Sequence, residues 1–350
     1  MLLHRALSRL GNVNVVFVEE ALRDEISCAD ESGLAATLRW RRDWTGLRRY
    51  KPIPGLTAPL ERALGRALAD YDIVVGRYLG SISKIDLPRH VPAIVDLDDI
   101  NPRLWNGTFS PAALKAAAKS LLMRVCSAPE FARYHSFFFV TRRDRERLAR
   151  LQGEVLPNIP FSGDASPDFR TGERQILFVG SMWYRPNAEG LDWFLAAVWP
   201  RILAKLPDAD LVVVGAAAPE VRARWGAHPG AQAVGFVDDL GTLYRRAALV
   251  ISPIRIGGGS NIKVLEAMAW GKAVVMTRFS FDGFADTMQD GRDVCVANDA
   301  TEFAHACVGL LTDVADRAKI AEAGHSVVRN SYSKARFEQV VARTVRALLD

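Results

Sequence analysis

The sequence predicts an α/β protein with two domains, each built on a doubly wound parallel sheet of the Rossmann-like kind. Short apolar runs alternate with helical patterns along the chain, which is typical of parallel strands joined by crossover helices. With 350 residues, the chain can bury two separate cores. A stretch with three prolines and no helical period, residues 154–174, separates the two series. We therefore expect a domain boundary near Leu156.

The first domain, residues 1–157, is predicted to contain four strands. Their apolar runs lie at residues 13–18, 72–76, 92–97 and 135–140. Thr141 and Asp144 form a capping pair, so a helix is expected to begin after the fourth strand. At the start of the chain, "LLHRALSRLG" has the pattern of a helix.

The second domain, residues 158–334, is predicted to contain five strands and a long helix. The apolar runs of the strands lie at residues 175–180, 209–215, 231–237, 248–254 and 272–277. The helix is expected over residues 187–206. The segment 335–350 is expected to form an amphipathic helix. The apolar residues on one side of that helix are Phe337, Val340, Val341, Val345 and Leu348.

Composition excludes several classes of protein. Apolar residues make up 49% of the chain and charged residues 24%, and no apolar run approaches the roughly 18 residues of a membrane span. The first residues are too few and too charged for a signal peptide. The four cysteines form no CxxC pair, so neither a disulfide framework nor a metal site is expected. A reducing, cytoplasmic location follows.

The positive charge of the chain is small and uneven. A net charge of +5 does not by itself indicate a nucleic-acid partner. Between Leu38 and Pro52, five arginines and one lysine are interleaved with three aromatic residues. Such a stretch fits a lipid interface or a solvated surface, and both alternatives stay open. Peripheral association with the inner face of the membrane is therefore an expectation.

The segment "PIRIGGGSNIKVLEAMAWGKAVV", residues 253–275, places a glycine-rich loop between a strand and a helix. Three consecutive glycines allow another group to approach the backbone closely; they are Gly257, Gly258 and Gly259. Ser260 or Asn261 is expected to cap the helix that follows. The spacing is neither that of a Walker loop nor that of the dinucleotide fingerprint.

Lys263 and Glu266 give this loop a chemical character. They lie three residues apart, so they share a helix face near the glycines. A helix N-terminus with a nearby cation suits a diphosphate, and a carboxylate suits sugar hydroxyls. The segment therefore predicts a ligand site, and a flexible turn between strand and helix is the alternative.

The second series of elements resembles a known family. The segments "LFVGSMWYRPNAEGLDWFLAAVWPRI", "PDADLVVVG" and "GFVDDLGTLYRRAALVISPIRIGGGSNIKVLEAMAWGKAVV" are similar to the C-terminal domain of group 1 glycosyltransferases, the retaining family 4 enzymes of GT-B fold. The resemblance covers roughly residues 175–283. It implies that the second domain binds a nucleotide-sugar donor, that the first binds the acceptor at a cleft between them, and that the last helix returns to the first domain. We expect no cofactor and no metal ion, because the nucleotide sugar is a substrate.

The resemblance assigns roles to single residues. Glu266 takes the place of the glutamate that binds the ribose hydroxyls. Lys263 and Arg185 take the places of the cations that hold the donor diphosphate. The backbone N–H groups of Val264 and Leu265 meet the same diphosphate at the helix start.

Other assignments concern the rim of the site. The loop at Phe236 and Val237 borders the base, although we expect the ring of Phe236 to belong to the core. Gly180 ends the first strand of the second domain and lies at the same rim. Arg185 could instead pair only with Glu189.

Three departures from the family pattern stand out. The first of two family glutamates falls at Gly258, so a side chain that faces the donor sugar is missing. The segment "VDLDDI" stands where many members have a His-Asp pair, which puts Asp98 in the place of the histidine. Asp98 or Asp99 could contact the donor sugar or the acceptor hydroxyl, or could cap a helix. The family opens with a strand before its first helix, so that strand is missing or the recorded start is late.

These observations predict a retaining glycosyltransferase that moves a sugar from a nucleotide-sugar donor to a glycan or lipid-linked acceptor, in polysaccharide or cell-envelope synthesis. Two alternatives stay open. One is a non-catalytic protein that binds a sugar nucleotide within a polysaccharide assembly complex. The other is a nucleotide-sugar 2-epimerase of the same fold.

Overall fold

The computed structural model describes most of the chain as two compact units. One unit comprises Met1–Leu156 with Phe337–Asp350, and the other comprises Pro157–Arg336. The described residues are 2–21, 25–28, 34–41, 51–97, 131–163, 165–169, 174–257 and 261–350. Some residues predicted to matter lie outside them: Asp98, Asp99, Gly258, Gly259, Ser260 and residues 42–50 of the basic stretch.

The first unit contains two sheets. In the mixed sheet, β1 (Val16–Ala21) pairs parallel with β3 (Ala36–Arg41), and β2 (Glu25–Cys28) pairs antiparallel with β3. The parallel sheet has the order β4-β5-β6-β7, with strands Val74–Arg77, Ala93–Leu97, Ser136–Phe139 and Gly153–Val155. The described helices are α1 (Leu2–Ser8), α2 (Thr57–Leu64), α3 (Leu79–Ile82) and α4 (Arg142–Arg147), with a 3₁₀ helix at Leu68–Asp70.

The four strands predicted for the first domain are β1, β4, β5 and β6. The structure differs from the prediction in the placement of β1, which within the described residues pairs with β3 and not with the four-stranded sheet. The first part of the basic stretch belongs to β3, where Leu38 is buried. Residues 38–41 are therefore part of a strand, and the structure does not decide between the lipid-interface and the solvated-surface interpretations of the stretch.

The second unit is built on one parallel sheet of six strands. Its strands are β8 (Gln175–Val179), β9 (Asp210–Val214), β10 (Ala231–Gly235), β11 (Leu249–Ser252), β12 (Ala273–Thr277) and β13 (Cys295–Ala297). The order is β10-β9-β8-β11-β12-β13. The first five of these strands in sequence are the five predicted ones. The chain first adds strands on one side of β8 and then on the other, so the direction reverses between β8 and β11.

Helices connect these strands and close the chain. They are α5 (Arg185–Trp193), α6 (Trp199–Leu203), α7 (Pro219–Gly226), α8 (Gly241–Arg246), α9 (Ile262–Ala269), α10 (Arg278–Phe281), α11 (Ala300–Thr312), α12 (Val314–Ser331) and α13 (Lys334–Leu349). A π-helical turn, Phe194–Val198, joins α5 to α6. Pro200 explains that turn, because it has no N–H to continue the α-helical hydrogen bonds. The predicted long helix is therefore interrupted once.

The parallel sheet of the first unit is covered on both faces. Phe137, Phe138 and Phe139 are consecutive buried residues of β6, and their side chains alternate between the faces. Phe138 packs with Ile94 and the apolar residues of α1 and α13, while its two neighbours pack on the side of α3. The five apolar residues predicted on one side of the last helix all belong to the cluster around Phe138.

The core of the second unit is aromatic where α5, α6 and α11 meet. The ring centroid of Phe194 lies 6.2 Å from that of Trp199 and 5.7 Å from that of Phe303. The Trp199 indole N–H donates to the Pro229 carbonyl at 2.8 Å, so its polar atom is satisfied inside the core. Across the described residues, no helix combines the length and the apolar character that a membrane span requires.

Replacing Phe138 tests how much the first unit depends on this sheet. Phe138 is 0% exposed, so Phe138→Ala should lower the free energy of unfolding by about 3–5 kcal/mol through lost burial and a residual cavity. Phe17 is 51% exposed, and Phe17→Ala should change the free energy of unfolding by about 0.5 kcal/mol or less. Scanning calorimetry of both variants measures the difference. Equal effects of the two substitutions would contradict this description of the core.

Candidate functional site

The carboxyl ends of β8 and β11 meet because glycines let the backbones approach. A Cβ at Gly190 in α5 would lie 2.6 Å from the Pro253 carbonyl oxygen, just after β11. Gly215, after β9, has a φ of +147°, and a Cβ there would collide with the Gly180 carbonyl oxygen after β8. No larger residue fits at these positions without moving backbone. The glycines therefore bring together the loops at the reversal of strand order, which is where open α/β sheets bind ligands.

Gly257 is the one residue of the glycine triplet that the structure describes. Its φ is +113°, a backbone conformation that residues with a side chain rarely adopt. A Cβ there would lie 3.0 Å from a ring carbon of Pro186 and 3.2 Å from the Tyr184 hydroxyl oxygen. The loop after β11 therefore lies against the beginning of α5, and glycine is required for both its conformation and its packing.

The N-terminus of α9 is open. Asn261 occupies the N-cap position but makes no capping hydrogen bond with its side chain. The Val264 N–H, predicted to meet a diphosphate, donates to the Asn261 carbonyl at 2.9 Å, and Leu265 is buried. Within the described part of the chain, the N–H groups of Ile262 and Lys263 have no acceptor. These two N–H groups, which are available to an anion, therefore lie two residues before the predicted pair, in the same first turn of the helix.

The Asn261 side chain has another role. Its amide donates to the Ser280 hydroxyl at 2.9 Å, and Ser280 in turn lies 2.9 Å from the Ser252 hydroxyl. These bonds tie the loop before α9 to β11 and α10. Asn261 therefore occupies the predicted N-cap position, but its side chain holds a neighbouring element and makes no capping bond to the helix.

Lys263 carries the most unusual electrostatics of the site. Its Nζ lies 2.5 Å from the Asn187 side-chain carbonyl oxygen and 4.4 Å from the centroid of the Phe178 ring. No carboxylate of the described residues forms an ion pair with it. Burial lowers the pKa of Lys263 to about 7, because an ammonium removed from water loses solvation that the amide and the ring replace only in part.

Asn187 is a member of the site that the sequence analysis missed. It lies in the first turn of α5, is 7% exposed, and donates from Nδ2 to the Ser181 carbonyl at 2.8 Å. The segment "RPN" that contains it follows β8 at the rim of the sheet, which is the signal that could have identified it. A Cβ at Gly180 would lie 2.7 Å from Asn187 Nδ2 and 3.0 Å from Lys263 Nζ, so both polar groups fill the space above this glycine.

Glu266 is buried one turn after Lys263. Its Oε1 accepts from the backbone N–H groups of Phe161 and Ser162, the second at 3.3 Å. Burial raises the pKa of Glu266, and these two donors oppose the rise. The Ser162 side chain also hydrogen-bonds this carboxylate. Lys263 and Glu266 form no hydrogen bond or ion pair with each other.

Arg185 and Phe236 lie on the surface. Arg185 forms an ion pair with Glu189, as the alternative interpretation predicted, and it does not contact Lys263. The ring of Phe236 is 73% exposed, so the expectation that it belongs to the core is wrong. Gly235 precedes it with a φ of +82°, and this turn directs the chain out of the sheet. Val237 is half-buried.

A cavity of about 260 Å³ lies beyond the ends of β11, β12 and β13. Its lining residues are Trp193, Arg255, Thr277, Arg278, Phe279, Asn298, Asp299 and Ala300. The polar groups that line it already have partners within the protein. Arg255 lies over the Trp193 ring, Thr277 donates to a backbone carbonyl, and Asp299 caps α11. In the described ranges, no three His, Cys, Asp or Glu side chains form a metal site.

The lowered pKa of Lys263 predicts a pH-dependent stability. Since the pKa is lower in the folded chain than its usual 10.5, the unfolded chain binds more protons between pH 7 and 10.5. The charged lysine therefore destabilises the fold fully below pH 7, and this effect disappears as the pH rises towards 10.5. Lys263→Met should raise the melting temperature, relative to the wild type, more at pH 6 than at pH 9. Thermal unfolding at both pH values measures this difference. Lys205→Met, at an exposed site, is the control: its melting temperature should differ from that of the wild type by the same amount at pH 6 and at pH 9.

The chain has recognisable relatives. Residues 173–313 match the family described as "Glycosyl transferases group 1". Over 167 residues the chain is 32% identical to a phosphatidyl-myo-inositol mannosyltransferase of Mycolicibacterium smegmatis, covering 46% of this chain. Over 166 residues it is 26% identical to an uncharacterized 44.6 kDa protein in the cps region of Klebsiella pneumoniae, covering 45% of this chain. The matched segment spans 42% of the length of each relative.

Two solved structures share the fold at low sequence identity. Sucrose-phosphate synthase from Thermosynechococcus elongatus has a TM-score of 0.72 at 15% identity, over 99% of this chain and 91% of that one. A UDP-forming α,α-trehalose-phosphate synthase from Burkholderia vietnamiensis has a TM-score of 0.65 at 15% identity, over 100% and 98%. Both are glycosyltransferases of GT-B fold, so the predicted fold is confirmed. Residues 173–313 accordingly form a group 1 glycosyltransferase domain within a chain of GT-B fold.

Proposed function

We propose that the chain is a glycosyltransferase that moves a sugar from a nucleotide-sugar donor to a glycan or lipid-linked acceptor, with retention of anomeric configuration. One observation carries the proposal. The Lys263 ammonium lies without a carboxylate partner among the described residues, beside the open N-terminus of α9, where the strand order of the sheet reverses. A cation and free N–H groups, placed where the strand order reverses, suit a diphosphate.

The donor diphosphate takes the position in front of α9. Lys263 supplies a charge, and the N–H groups of Ile262 and Lys263 supply hydrogen bonds. Arg185 could add a second cation if it exchanged its Glu189 partner for a phosphate oxygen. An exposed arginine on a flexible stem makes that exchange at low cost, since its ion pair is worth only about 0–1 kcal/mol.

The nucleoside lies along Glu266 and the loop at Phe236. A ribose hydroxyl donates to Glu266 Oε2, which is the carboxylate oxygen that the backbone of residues 161 and 162 does not use. Phe236 is exposed at the end of β10 and offers an apolar surface to the base. The carboxylate is already oriented by two backbone donors, so hydroxyl recognition would need no rearrangement of its first oxygen.

The reaction follows from where the charge is placed. The bond between the sugar carbon and the phosphate oxygen breaks, and negative charge builds on the departing diphosphate next to Lys263 and the helix N-terminus. The acceptor hydroxyl attacks the same face of the sugar, forms the new glycosidic bond and passes its proton to a leaving phosphate oxygen. Neither a protein base nor a metal ion is part of this proposal, because the leaving group takes the proton and Lys263 takes the charge.

The acceptor belongs to cell-envelope or polysaccharide synthesis in this proposal. Support comes from the relatives, one named for phosphatidyl-myo-inositol and one for a cps region. A lipid-linked acceptor fits a peripheral association with the inner face of the membrane, to which the basic residues after β3 would contribute. The non-catalytic alternative differs in one property, since such a protein binds the sugar nucleotide without consuming it.

Ligand-dependent thermal stabilisation tests the donor site. A panel of UDP-, GDP-, ADP- and dTDP-sugars should raise the melting temperature with one nucleotide. UDP is the first to test, because a structurally similar synthase is UDP-forming. Lys263→Ala and Glu266→Ala should each weaken binding at least tenfold, about 1.4 kcal/mol, while Lys205→Ala should bind like the wild type. No shift with any sugar nucleotide, in a folded protein, would overturn the proposal.

Turnover separates the enzyme from a binding partner. The wild type should release the nucleoside diphosphate from the bound donor, faster when an acceptor is present, and Lys263→Ala should lower that rate at least a hundredfold. NMR of the new glycosidic bond gives its anomeric configuration relative to the donor. Binding without turnover in the presence of lipid-linked acceptors would favour the non-catalytic alternative, and an inverted product would overturn retention.

A further inference from the structure

We propose that Asn187 is a positioning residue that holds the Lys263 ammonium in the donor site without neutralising its charge. The inference rests on the proposed function, because it concerns how the same site keeps a free positive charge for the diphosphate. Asn187 does not belong to the residues that either the glycine loop or the family resemblance singled out. Its role follows from the geometry of its side chain, which bonds both the loop after β8 and Lys263 of α9.

The orientation of the Asn187 amide is fixed at both ends. Nδ2 donates to the Ser181 carbonyl at 2.8 Å, and a carbonyl can accept only from the NH₂ end of an amide. The side-chain oxygen must therefore face the other way, where it accepts from Lys263 Nζ at 2.5 Å. At 7% exposure, the amide has little competition from water for either bond.

An aspartate could not perform both tasks at this position. Its carboxylate would repel the Ser181 carbonyl oxygen, which needs a donor. It would also pair with Lys263 and cancel the charge that the phosphate needs. Asparagine is close in size to aspartate but uncharged, so it satisfies one hydrogen bond of the ammonium and leaves its net charge of +1 in place. The chemistry of the contact therefore distinguishes a neutral support from an ordinary ion pair.

Gly180 shows that the space around this contact is built for it. A Cβ there would lie 2.7 Å from Asn187 Nδ2 and 3.0 Å from Lys263 Nζ, so any side chain would displace one or both groups. On the remaining side, the Phe178 ring lies under the ammonium. The amide, the ring and the missing side chain of Gly180 together define one position for Nζ.

No other charge of the described residues controls this lysine. Burial is the one cause that lowers its pKa, and neither Arg185 on α5 nor Glu266 on its own helix contributes. A carboxylate placed at position 187 should therefore raise the pKa of Lys263 well above 7, because an adjacent negative charge favours the ammonium.

The experiment compares Asn187→Asp with the wild type by two measurements. The first is the titration of Lys263 in the unliganded protein, followed by NMR of labelled lysine, with Lys263→Arg used to assign the signal. The midpoint should lie near 7 in the wild type and at least one pH unit higher in Asn187→Asp. An unchanged midpoint in Asn187→Asp overturns the inference.

The second measurement is the dissociation constant of inorganic pyrophosphate and of UDP between pH 6 and pH 9. Wild-type affinity should fall as the pH rises through 7, while Asn187→Asp should bind at least tenfold more weakly at pH 6 and depend less on pH. The pH dependence measured with Lys263→Ala reports the ionisation of the ligands alone, and it is subtracted from the pH dependence of the other two proteins. Equal affinities of Asn187→Asp and the wild type at pH 6 overturn the inference as well.

Two further outcomes keep the tests separate. If Asn187→Asp does not fold, Gly180→Ala serves instead, since its Cβ displaces the amide while both polar side chains remain, and it should weaken pyrophosphate binding at least threefold. Unchanged binding in Gly180→Ala contradicts the inference.

If the wild type binds neither pyrophosphate nor any nucleoside diphosphate, the proposed function fails, even where the Lys263 midpoint still moves in Asn187→Asp.

Discussion

A half-buried ammonium without a counter-ion among the described residues is the constraint on which the candidate site depends. Removing Lys263 from water costs solvation, and the protein returns only one neutral hydrogen bond and the face of an aromatic ring. A carboxylate in the place of Asn187 would neutralise the ammonium and make the site less receptive to anions, and it would leave the Ser181 carbonyl without its donor. The arrangement is therefore typical of a functional site, where a locally unfavourable group is maintained by the surrounding structure.

The surrounding structure maintains it through close backbone packing. Gly190 brings α5 against the loop after β11, and Gly215 lets the ends of β8 and β9 approach. These contacts set the distance between the first turn of α5, which carries Asn187, and the first turn of α9, which carries Lys263. Because the contacts are between backbone atoms, the geometry depends little on the rotamers of exposed side chains. A sheet whose strand order reverses at this point supplies the gap in which the two helix starts can face each other.

The sequence predicted the parts of this structure whose signals are local. Buried parallel strands such as β9 and β11 are uninterrupted apolar runs, so they were predicted, whereas β13 has three residues between charged segments and was missed. β3 was missed because its arginines suggested a surface. Asn187 gave only the signal of its position after β8. The sequence does not show that it contacts Lys263, which lies 76 residues away. The exposure of Phe236 likewise depends on the left-handed conformation of Gly235, which the apolar pattern of the sequence does not reveal.

The lack of a carboxylate partner for Lys263 among the described residues also has a consequence for the proposed turnover. When a ligand leaves this site, no carboxylate among the described residues pairs with the Lys263 ammonium. In the proposed reaction the spent nucleoside diphosphate carries the same phosphates as the donor, so the two would compete for this position. Under that proposal, the rate of synthesis would respond to the ratio of fresh to spent nucleotide.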